Sequence, residues 1–114
     1  MDLVLHTQWT RDGAVIVCRG RLVHSESLTR LQRSVREVLY ARRGVVVIDL
    51  SEVSDIDAAG VGALALIVVE GRVANGRIRM TRPSRHVLTL IRMTRLDSQI
   101  TWVSPSAAHA INVA

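Results

Sequence analysis

The sequence predicts one α/β domain: a mixed, largely parallel sheet with an N-terminal antiparallel edge hairpin and about four helices. Three observations carry that expectation. Two strand-like runs, "LVLHTQW" and "AVIVCRG", flank "TRDG", whose Asp12-Gly13 pair is a strong hairpin signal. Beyond them, strand-like and helix-like hydrophobic periods alternate along the chain, which implies right-handed crossovers and parallel pairing. The run "VVVIDL" is continuously apolar and β-branched up to its aspartate, as expected of a strand covered on both faces.

The elements follow in order. In the first strand Leu3, Leu5 and Thr7 alternate with Val4, His6 and Gln8, and "AVIVCRG" returns beside it. From Leu28 the spacing changes. Leu28, Leu31, Val35, Val38 and Leu39 share one helical face, with Arg30, Arg33, Arg36 and Glu37 opposite. Ser25 or Ser27 can cap this helix, and Gly44 follows its basic last turn at Arg42-Arg43. "VVVIDL" is the next strand. A second helix is expected from about Ala58 to Val73, closed by "ANGR". "RIRM" is a short strand. Ser84 caps a third helix whose apolar face is Val87, Leu90 and Ile91. "QITWV" is the last strand, and Ser104-Pro105 opens a terminal helix, "PSAAHAINVA". No repeat or linker interrupts residues 1–114, so a single domain is expected over the whole chain.

Composition narrows the function. The chain is 48% hydrophobic but has no phenylalanine and only 3% aromatic residues, which argues against base-stacking platforms for single-stranded nucleic acid. The formal charge is +5, and all fifteen basic residues are arginines, dispersed rather than blocked. Dispersed charge gives little support for nucleic-acid or lipid binding, and neither partner is expected. The single Cys18 excludes an internal disulfide and a multi-cysteine zinc site, and its apolar surroundings suit a small buried hydrophobe. His6, His24, His86 and His109 lack metal-ligand spacing. No cofactor or metal is expected. The N-terminus carries no secretory leader, and the longest apolar stretch, Val61 to Val69, is too short to span a bilayer. A cytoplasmic location follows as the expectation.

The stretch "SDIDAAGVGALAL", from Ser54, lies where a strand meets a helix. Asp57 is the natural N-cap of that helix, accepting from the amides of Ala59 or Gly60. Gly60 and Gly62 let the first turn lie close to the sheet or to a partner. A phosphate loop does not fit, because Gly-x-x-x-x-Gly-Lys-Ser/Thr is absent and the chain has no lysine. The dinucleotide spacing is also missing. Asp55 and Asp57 lack a neighbouring nucleophile apart from Ser54, so acid–base catalysis is not supported and no enzyme activity is expected.

"VVVIDLSEVSDIDAAGVGAL" closely resembles the signature of the STAS domain, the sulfate transporter and anti-sigma factor antagonist family. "CRGRLVHSES" is similar to the family's Gly-Glu-Leu-Asp segment. "NGRIRMTRPSRHVLTLIRMTRLDSQI" is similar to its later strand, capped helix and Thr-Gly-Leu segment. The resemblance covers nearly the whole chain. It implies a binding switch of the stand-alone bacterial type, an anti-anti-sigma factor that regulates transcription by docking on an anti-sigma factor, often a serine kinase. It also implies docking through Ser54, Asp55, Asp57, Ala58, Ala59, Gly60 and Gly62, in a monomer or weak dimer. In such members the residue after the motif aspartate is the phosphorylated serine. Here that position is Ala58, followed by Ala59, and neither carries a hydroxyl. Val23 replaces the usual acidic residue before the first helix, and Arg95 replaces the usual glycine after the third. A left-handed arginine there costs on the order of 1 kcal/mol. The resemblance leaves two principal readings: a constitutively competent antagonist, or a STAS subunit of another assembly, such as a lipid-transport ATPase complex or a sensor complex. A third has Ser51 or Ser54 as substitute phosphoacceptor. From another class, a small-ligand or nucleotide-binding module could use the same helix end.

Overall fold

A computed structural model describes residues 3–42 and 44–106. Strands β1 (Val4–Trp9) and β2 (Gly13–Leu22) form the antiparallel hairpin, with Trp9 opposite Ala14. Helix α1 (Glu26–Arg42) leads to β3 (Val45–Ile56), α2 (Ala58–Val73), β4 (Arg77–Thr81) and α3 (Arg85–Met93). A 3-10 turn (Leu96–Gln99) precedes β5 (Thr101–Val103). The sheet order is β1-β2-β3-β4-β5, and every pair after the hairpin is parallel. The predicted terminal helix begins at Pro105 and Ser106, and the rest of it lies outside the described residues. Three α-helices and a 3-10 turn are therefore seen before that point, the turn being absent from the sequence expectation.

The helix faces follow the sequence pattern. Leu28, Leu31, Val35, Val38 and Leu39 are all buried, and they meet Ile16, Cys18, Val46, Ile48, Leu50 and Met80 from the sheet. The opposite face of the central strands buries a smaller cluster, Val15, Val17 and Val47. That division accounts for the unbroken apolar run in β3. Burial pushes the Cys18 thiol up to about 12, and the Asp49 carboxylate adds to the rise. The thiol therefore stays protonated and packs as a hydrophobe.

Two expectations change in detail. Gly13 does not sit in the hairpin turn. It opens β2, where a Cβ would run into the Val45 carbonyl, so its small size is used for strand packing. The strand read as "VVVIDL" continues to Ile56, so Ser54 and Asp55 belong to the strand and Asp57 alone joins it to α2. The β3–β4 ladder ends at Ile48 and Met80. Beyond it the buried Asp49 and Thr81 take over. Thr81 Oγ1 accepts from the Leu50 amide (2.9 Å) and donates to Asp49 Oδ1 (2.9 Å). This network holds the C-terminal half of β3, and hence the start of α2, in place.

Candidate docking site at the start of the second helix

Asp57 is the N-cap of α2, with extended backbone at φ −118° and ψ −176°. Its Oδ1 accepts from the Gly60 amide at 2.9 Å, one of the two acceptances expected from sequence. Its Oδ2 accepts from the His24 amide, also at 2.9 Å. One carboxylate therefore ties the β2–α1 loop to the helix start. The His24 amide, then the Gly60 amide, hold the Asp57 carboxyl below its ordinary value of 3.8.

The other motif residues separate into distinct roles. Asp55 Oδ1 accepts from the Ile56 amide (2.8 Å) and lies 3.4 Å from His86 Nε2 on α3. Asp55 and Asp57 thus serve different partners. Ser54 Oγ donates to the Gly20 carbonyl (3.2 Å), and Ser51 Oγ donates to Asp49 Oδ1 (2.6 Å). Ala58 is exposed, while Ala59 packs against the core. The two glycines divide the roles proposed for them. A Cβ on Gly60 would collide with the Leu22 carbonyl, whereas one on Gly62 would meet nothing within 4 Å. Gly60 seats the helix on β2, and Gly62 faces open space.

Ala58 is continuous with an apolar surface that sequence reasoning did not single out. Ile56, Ala58, Val61, Leu90 and Met93, with Asp57 and Thr94, line a groove of about 220 Å³ between α2 and α3. Along α2 the outward stripe runs from Ala58 and Gly62 to Leu66, Val69 and Val73. These last three are 53%, 51% and 78% exposed, and Met93 on α3 is 76% exposed. The signal was present in the sequence, since no polar residue interrupts α2 from Ala58 to Val69. A helix apolar on every side is either buried or covered by something else.

A family profile described as "Mlab, STAS domain" matches residues 5–103. The chain belongs to the STAS domain family. Solved structures share the fold at low identity. The unphosphorylated form of the anti-sigma factor antagonist SpoIIAA has a TM-score of 0.77 at 18% identity, over 93% of each chain. The phosphorylated form of SpoIIAA from Bacillus has a TM-score of 0.69 at 18% identity, over 95% of this chain and 96% of that one. An anti-sigma factor antagonist from Mycobacterium paratuberculosis has a TM-score of 0.79 at 17% identity, over 95% and 92%. No curated protein sequence matches at a significant level. Among the described residues no helix is long and apolar enough to cross a membrane, and no cluster of potential metal ligands occurs.

Proposed function

We propose that this STAS domain is an anti-sigma factor antagonist that acts by binding, without catalysis. It docks on an anti-sigma factor through the start of α2, around Asp57, Ala58 and Gly62. Ala58 occupies the position where phosphorylation-controlled members carry serine, so docking here is permanently enabled. The observation that carries the reading is the exposed apolar surface running from Ala58 along α2 and into the groove beside Leu90 and Met93. Such a surface suits the centre of a protein interface, where charged groups are depleted. A phosphate at its edge would bring about −1.5 to −2 charges into that apolar centre and oppose docking. With methyl groups at Ala58 and Ala59, no phosphate can be placed there.

The same missing hydroxyls favour a second reading, a constitutive STAS subunit of a transport ATPase or sensor assembly, which needs no phosphorylation switch. The discriminating experiment is affinity capture from the native cells, with the bound protein identified by mass spectrometry. Recovery of an anti-sigma factor, of serine-kinase type or otherwise, is the expected result. Recovery of ATPase or sensor subunits in its place overturns the antagonist reading in favour of the second.

A further inference from the structure

A cleft of about 290 Å³ opens at the far end of α2 from Ala58, where α2, β4 and the 3-10 turn meet. Its polar lining consists of Arg72, Arg77, Arg79, Gln99 and Thr101, beside Gly76, and includes no carboxylate. None of the three arginines enters an ion pair among the described residues. Arg79 is nevertheless half-buried. Three guanidiniums around one cleft, one of them on a half-buried residue and none paired with a carboxylate, favour negative charge there.

The local backbone supports this. The end of α2 would ordinarily present carbonyl oxygens, which repel anions. Here the carbonyls of Glu70, Gly71 and Arg72 accept from the amides of Ala74, Gly76 and Asn75. Asn75, at φ 56°, takes the left-handed position that completes this cap. Arg72 Nη2 donates to Gln99 Oε1 at 2.8 Å, which links α2 to the 3-10 turn across the cleft. β5 begins opposite Arg79, so Arg77 and Ile78 extend beyond it and leave the sheet edge open at this point.

We propose that this cleft binds a small anion bearing phosphoryl groups. Planar guanidinium forks match phosphate oxygens in pairs, and Gln99 and Thr101 supply further donors. The volume lies at the lower end of the range for small-ligand sites and has room for one or two phosphoryl groups. The cleft shares no lining residue with the groove beside Ala58.

The test is calorimetric titration of pyrophosphate into the full chain at low ionic strength. Saturable one-to-one binding is expected. Arg72→Gln and Arg77→Gln, both at exposed positions, should each weaken it by about tenfold, the scale of one charge-assisted hydrogen bond. Arg21→Gln removes the same charge from an exposed position outside this lining and should leave affinity unchanged. Adenosine diphosphate, titrated in parallel, separates the sources of the phosphoryl group. Equal affinity assigns the cleft to phosphate alone, and tighter binding assigns it to a nucleotide; either supports the site. Failure to saturate by about 10 mM overturns the proposal, as does an Arg21→Gln effect as large as that of Arg77→Gln.

Discussion

At the residue scale, Asp57 does the most with the fewest atoms. Its two oxygens satisfy two amides from different segments, and its charge sits at the positive end of α2. A carboxyl held below its unfolded value adds stability above that value and loses it as pH falls toward the folded one. Asp57→Asn keeps a capping oxygen but removes the charge. Its stability deficit, followed by thermal melts across pH, should be greatest near neutrality and close below about pH 4. A deficit independent of pH would contradict this account. The glycines offer a second contrast. Gly62→Ala fills open helical space and should stabilise the fold by about 0.5 to 1 kcal/mol. Gly60→Ala should destabilise it by about 1 to 3 kcal/mol, because backbone must move away from the new methyl. Denaturant titration of both variants reads the difference in sign. Ser51 and Ser54 already donate to Asp49 and Gly20. Intact-mass analysis after incubation with the cognate kinase and ATP should therefore show no added phosphate. A gain mapped to either serine would show a substitute acceptor.

At the scale of elements, α2 carries the functional argument. Its inner face is ordinary core, with Ala63, Leu64, Ile67 and Val68 buried. Its outer face is apolar without being covered by described elements of the fold. Leu66→Asp should therefore change stability by no more than about 0.5 kcal/mol, as surface substitutions usually do. It should still weaken partner binding by at least about tenfold, as expected when a carboxylate is buried unpaired at an interface. Retained affinity would remove the middle of α2 from the docking face. The α3 end shows how the same chain tolerates local strain. Arg95 has φ 62°, the left-handed conformation foreseen from the glycine usual at this place. Arg95→Gly should raise stability by about 1 kcal/mol, measurable as an increased melting temperature.

Much of this architecture was legible because it depends on local signals. The α1 face is a clean helical period, and Asp57 and Ser84 are capping residues standing before apolar runs; each cap is formed in the structure. Other features depend on tertiary geometry that no single stretch records. Whether Gly13 makes a turn or admits a neighbouring carbonyl is decided by β3, more than thirty residues away. The extension of β3 through Ser54 and Asp55 depends on pairing with β2, since charge and polarity argue locally for a loop. The apolar groove brings α2 and α3 side chains together, so Leu90 and Met93 could be placed on a helix from sequence but not beside Ala58.

For the whole molecule, the proposed function requires that a STAS domain without a phosphoacceptor at its helix start be held permanently in the docking state. The most direct measurement is calorimetric titration of the captured anti-sigma factor with the parent, Ala58→Ser and Ala58→Asp, with thermal melts alongside. The account predicts near-parent affinity for Ala58→Ser. It predicts at least about 1 kcal/mol weaker binding for Ala58→Asp, the cost of desolvating an unpaired charge at the interface, with the fold nearly as stable as the parent's. Parent-like affinity in Ala58→Asp would contradict the claim, because a charge at the start of α2 would then lie outside the surface the partner covers.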